Sequence, residues 1–276
     1  MISHILQAAQ RLREERPLIH CLTNHITIND CANVILAAGA RPIMAEHPAE
    51  AAEITRTAAA VECNLGNISD QRMAAMKESV QEAAKLGLPI TLDPVGVTCS
   101  TLRREFAAEL MVLGKPAVLR GNLSEIRLLA GAESHGSGID AGAQDANNQN
   151  SLDEACSIVQ GLAKHTGITV VASGAVDITS DGERTYCIYG GDEKMGSVTG
   201  TGCMCAALTA AYTAVTDPLT AAVAGTAVLG AAGKRAAQQM EQEGFGIGTY
   251  HVRLLDEVWN LRGDVLKESL HVELWE

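Results

Sequence analysis

Short runs of β-branched and apolar residues alternate with stretches of helical periodicity through most of the chain. Leu18–Leu22, Val61–Leu65, Ile90–Leu92, Ala117–Leu119 and Ile168–Ala172 read as strands. Met1–Arg16 has the charged, amphipathic pattern of a helix. Thr27 opens another that ends at Gly39. Ser69 caps a further one running to Leu86, with Gly87 at its end and Pro89 beyond. In the second half, Asp177–Thr179 and Thr185–Tyr189 form a hairpin turning at Asp181-Gly182, and three helices fill Gly202 to about Leu261. This alternation predicts an α/β fold, a mostly parallel central sheet covered by helices on both faces. No internal repeat and no linker divides the chain, so residues 1–276 are expected to form a single domain. The polar stretch Glu133–Asn150, rich in Gly, Ser and Asn, reads as a solvated surface loop.

Composition narrows the possible partners. Hydrophobic residues make up 47% of the chain, the level of an ordinary globular protein, while aromatics are only 3%. A formal net charge of -12 with no basic run repels phosphate backbones, and few rings are available for stacking on bases. Nucleic acid is therefore excluded as a partner. The apolar stretches Cys203–Val215 and Leu219–Ala232 are each too short to span a bilayer, and Met1–Arg16 lacks the apolar centre of a signal peptide. Eight cysteines occur, but no C-x-x-C and no paired Cys/His ligand set, so structural zinc is not expected. Most of them sit in apolar runs, where a reduced thiol acts as a small hydrophobe, and a cytoplasmic setting fits.

Polar residues gather at the carboxyl ends of the expected strands, where open parallel sheets bind ligands. His20 to Asn24 follow the first strand, Asn64-Leu65-Gly66 the second and Asp93-Pro94-Val95-Gly96 the third. Arg120-Gly121-Asn122 and Ser173-Gly174 follow the fourth and fifth. Val198-Thr199-Gly200-Thr201-Gly202-Cys203 precedes a long Ala-rich helix. Glycines admit a ligand close to backbone N–H groups, and a helix N-terminus adds positive potential; together they make an anion hole suited to a transferring phosphoryl group. The same segment also fits a tight loop entering a helix. It is no Rossmann fingerprint, since Cys205 stands at the third-glycine position, and no Walker A sequence is present. Asp93 can meet a hydrated magnesium ion or simply form the turn before Pro94. Glu125, three residues after Asn122, can share that ion or favour a helix N-terminus.

Taken in order, these segments resemble the hydroxyethylthiazole kinase family of the ribokinase-like superfamily. The resemblance rests on Thr23-Asn24, Asn29-Asp30-Cys31-Ala32-Asn33, Ala40-Arg41-Pro42-Ile43-Met44-Ala45, Asp93-Pro94-Val95-Gly96, Arg120-Gly121-Asn122 with Glu125, and Thr199-Gly200-Thr201-Gly202-Cys203. It implies a three-layer fold, ATP with Mg2+, and a homotrimer with active sites between subunits. It also implies phosphorylation of the hydroxyl of 4-methyl-5-(2-hydroxyethyl)thiazole, a small-molecule substrate, in thiamine salvage. Met44, Gly200 and Asn24 would meet the thiazole; Arg120, Ser173 and Asn122 would meet ATP; Asp93 and Glu125 would stand near magnesium. Gly200, Thr201 and Gly202 would hold the transferring group, with Cys203 assisting at the hydroxyl. Sibling kinases usually carry Asp at the Cys203 position. The family usually has Thr where Ser173 stands, and often Gly-Ala where this chain has Thr98-Cys99. The alternatives are a ribokinase-like kinase acting on a hydroxymethylpyrimidine or a sugar, and a non-catalytic thiazole- or nucleotide-binding regulator.

Overall fold

The computed structural model describes residues 1–131 and 149–276. In chain order its elements begin α1 (Ile2–Glu15), β1 (Leu18–Leu22), α2 (Ile28–Ala38), β2 (Arg41–Ile43), α3 (Pro48–Thr57), β3 (Ala60–Asn64) and α4 (Asp70–Leu86). They continue with β4 (Ile90–Asp93), α5 (Thr101–Gly114), β5 (Val118–Asn122), α6 (Leu123–Leu129), α7 (Gln149–Thr166) and β6 (Thr169–Ser173). The hairpin strands β7 (Asp177–Ser180) and β8 (Thr185–Ile188) follow, then α8 (Thr201–Thr213), α9 (Pro218–Glu243), α10 (Ile247–Asn260), α11 (Gly263–Ser269) and β9 (Val272–Trp275).

The strands form one nine-stranded sheet in the order β2-β1-β3-β4-β5-β6-β7-β8-β9. From β2 to β6 every pairing is parallel; β7, β8 and β9 add antiparallel strands at one edge. Helices pack on both faces around two large apolar clusters, with a small third one of Val118, Val171 and Ala222. One holds Ile5, Leu12, Ile35, Leu208, Leu229 and Leu254 from α1, α2, α8, α9 and α10. The other holds Ala51, Met76, Phe106, Ile126 and Val159 from α3 to α7. Because both faces are covered, the inner parallel strands β1, β3, β4, β5 and β6 are buried along almost their whole length rather than alternating between buried and exposed positions.

The expected elements recur within a residue or two at their ends, except that β5 runs three residues beyond the expected Leu119 and takes in Arg120, Gly121 and Asn122. Ser69 Oγ accepts from the Arg72 N–H at the start of α4, and Gly87 closes that helix at φ 67°. Thr27 is the N-cap of α2 but makes no side-chain cap bond; the carboxamide of Asn24 accepts instead from the Ile26 and Thr27 N–H groups of the turn that leads into the helix. Of the polar stretch 133–150, residues 133–148 lie outside the described residues and the last two open α7. All eight cysteines are free thiols, and all but Cys99 are buried.

Candidate active site

The carboxyl ends of β4, β5 and β6 and the N-terminus of α8 enclose a cleft of about 970 Å3. Asp93, Arg120, Asn122, Glu125, Ser173 and the Gly200–Cys203 turn line it, together with Gly190, Gly191 and Gly230. Each of these expected site residues is thus brought to one place. Met44 is not in the lining; it follows the edge strand β2, partly buried against the core. Asn24 also stays out of the lining but reaches the cleft through Cys203, as described below.

Two glycines shape the turn into α8. Gly200, the N-cap, sits at φ 87°, and no side chain caps this terminus. A Cβ on Gly200 would come within 2.3 Å of Thr27 Cγ2, and one on Gly202 within 2.8 Å of Arg120 Nη1. The turn must therefore be bare at both positions to lie against α2 and Arg120. The consequence is a helix N-terminus whose first N–H groups and positive dipole end are available to an anion, with a guanidinium beside them.

Arg120 Nη2 donates to Ser173 Oγ at 3.0 Å, and Nη1 lies 3.9 Å from Asp93 Oδ2. Burial alone would lower the Arg120 pKa, but Cys205, Asp93, Asp177 and Glu125 around it raise it on balance, so the guanidinium stays charged. Asp93 is fully buried. Burial pushes its carboxyl up to about 8 against the pull of Arg120, and the Glu125 charge adds to the push. Its Oδ1 has no hydrogen-bond partner. Asp177, also on the cleft wall, is pushed up to about 6 by burial.

Glu125 and Asn122 do the work of a helix start. Asn122 Oδ1 accepts from the Glu125 N–H at 2.9 Å, and Glu125 Oε2 accepts from the Asn122 N–H at 2.9 Å, a reciprocal capping box. Glu125 Oε1 accepts from the Gly96 N–H at 2.8 Å, which ties the loop after β4 to α6. Each carboxylate oxygen thus holds one backbone donor and keeps a further lone pair.

A chain of buried side chains runs from Asp93 to Cys203. Asn64 Nδ2 donates to Asp93 Oδ2 at 3.1 Å. Asn24 Nδ2 donates both to Asn64 Oδ1 and to Cys203 Sγ, each at 3.2 Å. Burial, then the Asp93 charge, pushes the Cys203 thiol up to about 11. At neutral pH it is a thiol and a weak base, which leaves it only an assisting part.

The strand ends that carry these asparagines are held from behind by Arg72, which no sequence pattern marks. Its buried guanidinium donates to the carbonyls of Leu22, Asn64 and Asn67 at 3.3, 3.0 and 3.0 Å, and also to that of Gly66. Glu46 lies 3.5 Å from Arg72 Nε and accepts from His25 Nε2 at 2.8 Å. His20, whose pKa burial lowers, bonds the Ala45 carbonyl at 2.8 Å and so fixes the segment after Met44. Arg72 lies in the first turn of an ordinary amphipathic helix, α4; its role emerges only when four carbonyls, from the ends of β1 and β3 and from the loop after β3, converge on it.

A model of the hydroxyethylthiazole kinase family matches residues 9–264. The chain belongs to the hydroxyethylthiazole kinase family. Hydroxyethylthiazole kinase 2 of Clostridium botulinum is 39% identical over 97% of this chain and 99% of its own. Hydroxyethylthiazole kinase 1 of Methanosphaera stadtmanae is 38% identical over 97% and 96%. The solved structure of a hydroxyethylthiazole kinase protein from Pyrococcus horikoshii OT3 superposes with a TM-score of 0.87 at 36% identity, covering 99% of this chain and 100% of that one. Bacillus subtilis pyridoxal kinase, solved as an ADP complex, shares the ribokinase-like fold alone, with a TM-score of 0.58 at 16% identity over 78% of this chain and 90% of that one. As a member of this kinase family the chain uses ATP, typically with a divalent cation. No helix among the described residues is long and apolar enough to cross a membrane.

The residues present fit a hydrated divalent cation. Among the described residues no three His, Cys, Asp or Glu side chains gather as a metal cage. A small hard cation held by one or two carboxylates, water and substrate phosphates needs none. Asp93 Oδ1 is a buried oxygen without a partner, and Glu125 presents a second carboxylate beyond the neighbouring strand.

Proposed function

We propose that the chain, acting as one domain over residues 1–276, transfers the γ-phosphoryl group of ATP to the hydroxyl of 4-methyl-5-(2-hydroxyethyl)thiazole, in thiamine salvage. One observation carries the reading. The uncapped N-terminus of α8, with Gly202 seated against Arg120, faces the same cleft as a buried carboxylate whose Oδ1 is unpartnered.

Phosphoryl transfer needs positioning and charge stabilisation more than covalent help. The N–H groups of the Gly200–Cys203 turn hold the γ-phosphoryl oxygens, and Arg120, oriented by Ser173, neutralises charge on ATP from the β5 side. Asp93 and Glu125 would hold Mg2+, mostly through water, and the ion would offset charge on the phosphate oxygens. Cys203 packs beside the acceptor hydroxyl and, as a thiol, assists by hydrogen-bonding and orienting it; the hydroxyl proton passes to a phosphoryl oxygen or to water as the new O–P bond forms and the bond to ADP breaks. Asn122 contributes at the ATP end mainly by capping α6, which sets Glu125 in place.

Met44 and Asn24 contact the thiazole in a site completed by a neighbouring chain of a cytoplasmic homotrimer. Light scattering across a dilution series, with activity followed in parallel, tests this arrangement: activity should fall as the trimer dissociates. A fully active monomer removes the interface and leaves the kinase reading intact. The kinase reading itself is tested by comparing ATP-dependent phosphorylation of the thiazole alcohol, a hydroxymethylpyrimidine and a sugar. Turnover with the thiazole alcohol should exceed that with the others. Failure to consume ATP with every alcohol would favour a non-catalytic binder.

A further inference from the structure

We propose that Asn64, acting through Asn24, is a positioning residue for phosphoryl transfer: the pair is a one-way hydrogen-bond strut that sets Cys203 against Asp93. The proposal rests on the kinase reading above, because it concerns the gap in which the acceptor hydroxyl must lie.

The direction of each bond is dictated by backbone. Gly66 N–H donates to Asn64 Oδ1 at 2.9 Å, so that oxygen cannot be exchanged for the amide nitrogen without placing donor against donor. Asn64 Nδ2 is thereby left to donate to Asp93 Oδ2. In the same way the Ile26 and Thr27 N–H groups, at 3.1 and 3.2 Å, fix Asn24 Oδ1. Asn24 Nδ2 then has to face Asn64 Oδ1 and Cys203 Sγ. Neither carboxamide can flip, and the sulfur and the carboxylate at the two ends are both held as acceptors.

The strut is also sterically locked. Asn24, Asn64, Asp93 and Cys203 are 4%, 0%, 0% and 8% exposed, so water does not compete for these bonds. A Cβ on Gly66 would stand 3.0 Å from both Asn24 Cβ and Asn64 Oδ1, so this loop is bare where it touches both amides. Arg72 pins the carbonyls of Asn64 and Gly66 from the other side. A site built for in-line transfer loses rate steeply when reacting groups shift by an ångström. This strut joins the turn that receives the phosphoryl group to the strand end that carries Asp93.

The test is a double-mutant cycle on the full chain, read as kcat and KM with ATP, Mg2+ and the thiazole alcohol. Asn64→Ala and Asn24→Ala should each lower kcat by about 10–100-fold, with KM for ATP within about threefold of the parent. The double variant should be no worse than about threefold below the poorer single one, because both changes break one strut. Losses that multiply, or a KM effect without a kcat effect, would overturn the proposal. Should Asn64→Ala fail to fold, Asn64→Leu keeps about the same volume while removing both the donor to Asp93 and the acceptor that Asn24 uses. It should show the same loss of kcat, and full turnover in that variant also refutes the strut. A parent chain that never phosphorylates the alcohol defeats the kinase reading instead, so the two failures are distinguishable.

Discussion

Glu62 sits in the middle of β3, in register between Cys21 of β1 and Thr91 of β4, and is fully buried. Neither of its carboxyl oxygens has a hydrogen-bond partner. Burial, then the Asp93 charge, raises its pKa well above the ordinary value, with Arg72 opposing. A carboxylate left unpaired in such a place takes up a proton instead of paying the cost of buried charge. The sign follows. A carboxyl with a raised folded pKa contributes its full stability below the unfolded pKa, near 4.5, and that contribution is lost as pH rises. While folded Glu62 keeps its proton, wild type loses about 1.4 kcal/mol per pH unit relative to Glu62→Gln, which is neutral throughout. Above about pH 5.5 the gap should therefore widen steadily with pH in favour of the variant, for as long as the folded carboxyl keeps its proton. Asp93 titrates in both proteins and cancels to first order, and the thiols of Cys21, Cys31 and Cys63, all pushed up by burial, stay neutral across this range. Urea unfolding of both proteins at pH 5.5, 6.5 and 7.5, with m-values compared, gives the difference directly. Gln leaves a buried amide, so the offset at any one pH decides nothing; the slope does. Parallel stability curves would mean that Glu62 is charged and compensated in the fold, and the reasoning would fail.

Arg120→Ala should raise KM for ATP by about 10–100-fold, the value of charge-assisted hydrogen bonds, and far less for the thiazole; an effect confined to the thiazole reverses the assignment. Asp93→Ala should lower kcat by about 100-fold or more and flatten the Mg2+ dependence, with the fold kept; unchanged activity across a metal titration takes Asp93 out of the site. Cys203→Ser should lose less than about 100-fold in kcat, below what an essential general base supplies, and Cys203→Asp should be tolerated. Abolished activity in a folded Cys203→Ser protein, with a modified Cys203 found by mass spectrometry, would require a covalent mechanism.

What the sequence reveals follows from how locally each feature is encoded. The apolar runs of β1, β3, β4, β5 and β6 are legible because burial on both faces leaves little polar interruption. β2 is not: three residues including Pro42 make no strand signal, and the proline is tolerated only because the strand lies at the sheet edge. β9, Val272–Trp275, is largely exposed and is a strand only through its pairing with β8. The Gly200–Cys203 turn announces itself because its glycines are required by φ and by close approach. Asn122 and Glu125 look equally like ligands and like caps; the structure shows the capping bonds and leaves lone pairs for the rest. Arg72 and the Asn64–Asn24 strut are invisible because they join residues far apart in the chain.

The central claim is tested most directly by a coupled assay of ATP consumption with purified protein, Mg2+ and 4-methyl-5-(2-hydroxyethyl)thiazole, with the product identified by mass spectrometry. The account predicts saturable turnover and the thiazole phosphate as product, lost when Mg2+ is chelated. ATP consumption with a hydroxymethylpyrimidine or a sugar but none with the thiazole alcohol would contradict it.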